Sequence, residues 1–235
     1  MSRLPRFSRK RPPQRADYER VWDALSATET DAVLSVAGHS DEALLRSSAE
    51  ITIGRMRDAV GIDPGDTVLE IGAGVGRLGE VVAPLCQRWV GADVSEHMLT
   101  FMAERLRGVP NARYVKLNGF DLSGIPSGSV DLVYCIVVFM HLDEWDRYGY
   151  VLDSARVLKP GGRLFVDNFS ICTQRGWELF ESLRRDIPPA GRPPQISKSS
   201  TPDELRTYLE RAGFEGVQTA LYDDLWVAAF GRLPG

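Results

Sequence analysis

Apolar and polar positions change their period along the chain. Up to about residue 60 the apolar ones recur at three- and four-residue spacing, the repeat of helices with one buried face. Tyr18, Val21, Trp22 and Leu25 fall on such a face, and Ala32, Val33 and Val36 continue it after Thr28, a good helix cap. A longer helix over 41–60 sets Leu44, Leu45, Ile51 and Met56 along one side. Beyond residue 66 short apolar runs alternate with helical patterns. Strands are expected at 67–71, 88–92, 113–117, 130–138 and 163–166, with helices over 77–85 and 96–106. A further helix follows His141-Leu142-Asp143, with Trp145, Tyr148, Val151, Leu152, Ala155 and Leu158 as its apolar stripe. Lys159-Pro160-Gly161-Gly162 ends it, and Thr201-Pro202-Asp203-Glu204 is a capping box that opens another helix to Ala212. Strands at 217–221 and 226–231 close the chain as a hairpin. The alternation predicts an α/β fold, a doubly wound and mostly parallel sheet with ligands over the carboxyl ends of its strands.

One stretch carries most of the chemistry. Val68-Leu69-Glu70-Ile71 runs straight into Gly72-Ala73-Gly74-Val75-Gly76-Arg77, a buried strand entering a glycine turn ahead of a helix. Glycines let the turn take positive φ and let a ligand approach the backbone, while helix N–H groups point into the same space. Asp93, about a score of residues on, ends the next strand where a carboxylate accepts both hydroxyls of a ribose. A dinucleotide site needs glycine at three positions spaced G-x-G-x-x-G. Here Gly72 and Gly74 are followed by Gly76, and Arg77 stands where the last glycine belongs. The turn therefore suits S-adenosylmethionine, which has no phosphate. Glu70 can anchor the loop or reach that cofactor's ammonium group. Asn118-Gly119-Phe120-Asp121 follows the third strand, where a carboxylate can accept from the adenine amino group and a neighbouring N–H can donate to the ring.

With Val130-Asp131-Leu132-Val133 and Arg156-Val157-Leu158-Lys159-Pro160-Gly161-Gly162 in the same order, the chain resembles the class I S-adenosylmethionine-dependent methyltransferases from about Asp63 to Asn168. A weaker echo is Glu210-Arg211-Ala212-Gly213-Phe214. The resemblance implies a Rossmann-like sheet of seven strands with the last antiparallel, and a place in the small-molecule O-methyltransferase branch. It implies that Glu70, Gly72, Ala73, Gly74 and Arg77 line the methionine and ribose side. Asp93, Val94 and Met98 would hold ribose and adenine, Gly119, Phe120 and Asp121 the adenine, and Cys135, Ile136 and Val137 would pass the methionyl group. Met98 serves equally well as helix core.

An alcohol needs a base or a metal before it attacks a sulfonium methyl. His141, just past the fourth strand, is one candidate base, with capping or packing as its bland alternative. Asp167 is the other. Asp167-Asn168 resembles the magnesium-binding pair of catechol O-methyltransferase, so a divalent cation such as Mg2+ is an open expectation, with substrate hydrogen bonding as its alternative. Residues 187–200, rich in proline and serine, read either as a substrate lid offering Arg192 and Lys198 or as a surface loop. Trp145, Trp177 and Phe180 offer stacking surfaces, or core.

Composition narrows the setting. The chain has 235 residues and a formal charge of −4, enough for one large domain and without a field for nucleic acid. Residues 1–15 form a basic, solvated tail, 16–60 are cap or lid helices, and 61–235 are the methyltransferase domain. Three cysteines, Cys86, Cys135 and Cys172, are too scattered for a disulfide or zinc framework. No apolar run is long enough to span a bilayer and no secretory leader is visible, so the cytoplasm is the expected location. The expected partner is a small-molecule acceptor with a hydroxyl, on a sugar, a polyketide-like or a quinone-like metabolite; membranes and nucleic acid are not expected, and a homodimer stays open. The absence of an Asn/Asp-Pro-Pro-aromatic motif at Cys135-Ile136-Val137-Val138 argues against base amino methylation. RNA methylation, resting on the basic tail, and a non-catalytic S-adenosylmethionine-binding subunit are the alternatives.

Overall fold

In a computed structural model describing residues 17–235, seven strands form a single sheet. The basic segment at 1–15, and with it the reading of that segment as an RNA arm, lies outside the described residues. Strands β1 (Thr67–Ile71), β2 (Arg88–Asp93), β3 (Ala112–Lys116), β4 (Val130–Cys135), β5 (Leu158–Phe169), β6 (Glu215–Tyr222) and β7 (Trp226–Arg232) lie in the order β3-β2-β1-β4-β5-β7-β6. Only β7 runs antiparallel, inserted between β5 and β6. The order reverses between β1 and β4, so the chain leaves these neighbours in opposite directions and opens a crevice above their carboxyl ends.

Alternate residues of the central strands enter two cores. Leu69, Ile71, Val133 and Cys135 meet α6 (Glu144–Val157) and α8 (Pro202–Arg211) on one face. Val68, Leu132 and Tyr134 meet α3 (Glu42–Val60), α4 (Gly79–Val82) and α5 (Glu96–Arg105) on the other. Two short helices, α1 (Tyr18–Leu25) and α2 (Glu29–Ala37), precede α3, and α7 (Gln174–Asp186) follows β5. The caps are the ones the side chains favour: Thr28 accepts from the Asp31 N–H, Asp41 from Ala43 and Leu44, and Thr201 from Glu204. Among the described residues no helix is long and apolar enough to cross a membrane.

Several expectations are corrected. The buried stripe of α3 is Leu45, Ala49, Ile53 and Met56, whose three large members contribute about 1.5–3 kcal/mol each. Leu44 and Ile51 instead face solvent, as do Trp145 and Leu152 on α6. The stretch 77–85 is a four-residue helix followed by a 3-10 turn at Ala83–Leu85. Gly72, Gly74 and Gly76 all take positive φ, which delays the helix, and Pro84 shortens it. β4 stops at Cys135 rather than 138, because its pairing with β1 and β5 ends there and Val137 takes φ +60°. β5 starts at Leu158, five residues early, through a bulge opposite Val130 and Leu132. Helix α7 had no counterpart in the sequence reading; of its residues only Gly176 is buried, so its core signal is weak.

Candidate active site

The glycine turn is tied to β2 by its own backbone. The N–H groups of Gly72 and Ala73 both donate to the Ala92 carbonyl, at 2.8 and 3.1 Å. The Gly74 N–H donates to Asp93 Oδ2 at 2.8 Å, and the Ser95 N–H to Asp93 Oδ1 at 2.9 Å. Side chains then close on the turn from above. A Cβ at Gly72 would stand 2.4 Å from Val138 Cγ2, and one at Gly74 would stand 2.9 Å from Val36 Cγ2. Glycine is required twice over, for φ and for space.

Between these walls lies a cavity of about 110 Å³. Glu70, Arg77 and Asp93 supply its acidic and basic groups, and Val94, Met98, Leu117 and Gly119 an apolar end. Trp22, Ser35 and Val36 reach it from the N-terminal helices, and Ile136, Val137, Val138, His141 and Leu142 from the segment after β4. It is smaller than ligand pockets usually are, roughly 300–1,000 Å³.

Burial tunes its charges. Glu70 is buried, accepts from the Tyr134 hydroxyl, and has its carboxyl pushed up to about 8 by desolvation. Burial also raises the Asp93 carboxyl, against the pull of the N–H donors of Ser95 and Gly74. The Arg77 guanidinium is lowered by burial; one terminal nitrogen donates to Ser48 Oγ at 3.2 Å, while its buried Nε has no hydrogen-bond partner among the described residues. His141 Nδ1 lies 2.8 Å from the Gln195 carbonyl, so that nitrogen carries the proton and Nε2 keeps its lone pair. Burial lowers the ring's pKa below 6.5, and Trp22 packs edge-on against it at 4.9 Å.

The comparisons with known proteins agree with this geometry. A family model described as a methyltransferase domain matches residues 69–166. A demethylmenaquinone methyltransferase of Tropheryma whipplei is 37% identical over 111 residues, 47% of this chain and 45% of that protein. The Escherichia coli ubiquinone/menaquinone biosynthesis C-methyltransferase is 35% identical over 120 residues, 48% of this chain and 46% of that one. In fold, the chain is similar to a SAM-dependent methyltransferase from Aquifex aeolicus, with TM-score 0.56 and 18% identity over 83% of this chain and 100% of that one. Residues 69–166 thus match a methyltransferase domain, and the chain is similar in sequence and in fold to S-adenosylmethionine-dependent methyltransferases. The matches span about half the length of the curated relatives.

S-adenosylmethionine is the cofactor of those methyltransferases, and the chemistry of the cavity fits it. The Arg77 Nε is a buried donor without a hydrogen-bond partner among the described residues, and a Cβ at Gly72 or Gly74 would fill the cradle. Asp93 lines the cavity with a buried carboxylate, and the Val94, Met98 and Leu117 end is apolar enough for a purine.

Not every residue singled out in the sequence reaches this cavity. Phe120 is half exposed, and Asp121 turns its carboxylate to the Asn118 side chain at 2.7 Å and the Ser123 N–H at 2.9 Å; neither lines the wall. Cys135 is sealed inside the sheet, its thiol pushed up by burial. Asp167 lies behind the wall, with Oδ1 accepting from the Val137 N–H and Oδ2 from the Tyr222 hydroxyl, both at 2.6 Å. Asn168 donates to the Lys198 carbonyl and Ser200 Oγ, and its own oxygen accepts from the Phe169 N–H. Outside the cavity lining and with their oxygens accepting from the protein, the pair does not fit a hard cation, and among the described residues no group of three His, Cys, Asp or Glu side chains is placed to hold one. Conversely, Trp22, Val36, Val138 and Leu142 line the cavity without having been singled out for it. Their apolar spacing was visible, but it reads the same for core and for a binding wall.

Proposed function

We propose that this protein transfers a methyl group from S-adenosylmethionine to a hydroxyl of a small, ring-bearing acceptor of the quinol or phenol type. The carrying observation is His141, an imidazole with Nδ1–H held by the Gln195 carbonyl, on a mostly apolar wall that includes Trp22, Val36, Val138 and Leu142. Such a wall suits a flat apolar ring better than a sugar. S-adenosylmethionine, when bound, supplies an electrophilic methyl on a sulfonium. Asp93 would accept from the ribose hydroxyls, Arg77 Nε would donate to the amino-acid carboxylate, and Glu70 would face the ammonium group. Val94, Met98 and Leu117 would enclose the adenine, and Ile136 and Val137 would border the methionyl chain. His141 Nε2 takes the acceptor's hydroxyl proton, and the Gln195 carbonyl stabilises the imidazolium that forms.

Attack through the ring carbon beside that oxygen is the second reading. The same proton removal makes that carbon nucleophilic, and the name of the Escherichia coli relative, a C-methyltransferase, favours it. The test is incubation with methyl-labelled S-adenosylmethionine and a panel of a naphthohydroquinone, a catechol and a sugar, with the labelled position read by NMR. Transfer to a ring acceptor, with His141→Ala slowed at least about a hundredfold, is the expected result. Transfer to the sugar alone, or an unaffected His141→Ala variant, would remove the proposal.

A further inference from the structure

Val137 is an anomaly in the cavity wall. It is β-branched, stands two residues past a buried strand, and holds φ +60°, a region that β-branched residues avoid. Its neighbour Val138 packs where a Cβ of Gly72 would be, so the backbone at 136–138 decides how closely this wall approaches the glycine turn. Something must hold it there. The Val137 N–H ends on Asp167 Oδ1 at 2.6 Å, and the other oxygen of that carboxylate accepts from Tyr222 at 2.6 Å. Tyr222 is braced in turn: the Arg55 guanidinium lies 4.8 Å over its ring and makes two hydrogen bonds, at 2.5 and 2.6 Å, to the adjacent Asp223.

We infer that Asp167 is a positioning residue, anchored by Tyr222, which pins Val137 in its left-handed conformation and thereby sets the 136–138 wall against the glycine turn. The inference rests on the reading of this cavity as the methyl-donor site. It gives the buried carboxylate a role other than proton acceptor or metal ligand, since it lies outside the cavity lining and holds the Val137 N–H and the Tyr222 hydroxyl. It also explains why α3, through Arg55, is fastened to the turn between β6 and β7.

The Asp167→Asn, Asp167→Ala and Tyr222→Phe variants separate a positioning role from a charge role. Asparagine still offers Oδ1 to the Val137 N–H, and its amide donates to the Tyr222 oxygen. The readouts are the affinity for S-adenosylhomocysteine by calorimetry and the amide exchange of 136–138, with β1 as internal reference. Asp167→Asn is expected to bind within about threefold of wild type, with slow exchange retained. Asp167→Ala should bind about tenfold or more weaker, with exchange accelerated at 136–138 and unchanged in β1. Tyr222→Phe should fall between them. Adding Val137→Gly to Asp167→Ala should recover part of the affinity, because glycine holds positive φ unaided; a lost base or ligand would not be restored that way. Equal losses for Asn and Ala, or wild-type affinity and exchange in Asp167→Ala, would overturn the inference. Should Asp167→Ala fail to fold, unaltered exchange at 136–138 in Tyr222→Phe overturns it. A wild-type protein that does not bind S-adenosylhomocysteine sinks the functional reading instead, while the exchange data still judge the pin.

Discussion

The two walls of the cavity are built in different ways. The glycine-turn wall is local: Glu70, Gly72, Gly74, Arg77, Asp93 and Met98 come from one strand–turn–helix–strand–helix passage, and its hydrogen bonds run between β1's turn and β2. The opposite wall is assembled from distant pieces. Trp22 and Val36 arrive from α1 and α2 and His141 from the 3-10 turn Phe139–His141, which Gln195 and Lys198 of the strap at 187–200 hold from outside the cavity lining. A local wall is rigid and serves whatever shares its cofactor. A composite wall can be changed piece by piece without disturbing the first, which is where specificity for an acceptor belongs.

Substitutions should therefore separate the walls, and Gly72→Val is the harshest. Its Cβ would stand 2.4 Å from Val138 in a positive-φ conformation, so S-adenosylhomocysteine affinity should fall beyond about a hundredfold in a calorimetric titration. On the far wall, His141→Ala should cost kcat about 10²–10⁴-fold and leave that affinity within about threefold. The wild-type rate should rise from acid pH to a plateau with its inflection below 6.5, since burial lowers the imidazole's pKa and only the neutral ring accepts a proton. Loss of cofactor affinity in His141→Ala would mean that the walls are not independent.

Smaller effects sharpen the contrast. The Lys198 ammonium donates to the carbonyls of His141 and Pro194, at 3.3 and 3.1 Å, so Lys198→Ala should loosen the strap and lower kcat a few fold, with cofactor affinity unchanged. Glu70 titrates near 8 when folded and near 4.5 when unfolded, so the folded state holds the extra proton between those values. Its contribution to stability is full below pH 4.5 and is lost as pH rises through 8. Glu70→Gln should flatten that part of the melting-temperature profile of the cofactor-free protein.

The same division governs what could be read from the sequence. Short-range order was legible: the spacing from Glu70 to Asp93 names a turn and the acid opposite it, and the boundaries of β1 and α3 follow from alternation and caps. The positions of Phe120 and Asp121 were not, because Asn118 and Ser123 draw Asp121 into a turn of its own. Nor was the use of Asp167. A carboxylate at a strand end looks like a base until Tyr222, fifty-five residues away, is seen to occupy it. The run 130–138 looked like strand throughout, and only the pairing partners, which end at Cys135, show where the wall begins.

The most direct test is calorimetric titration of the full chain with S-adenosylhomocysteine, wild type against Asp93→Ala. If the crevice over β1 and β2 is the methyl-donor site, wild type binds one equivalent and the variant binds about tenfold or more weakly, having lost the carboxylate for the ribose hydroxyls. Absence of binding by wild type, or equal affinity in the folded Asp93→Ala protein, would contradict the account.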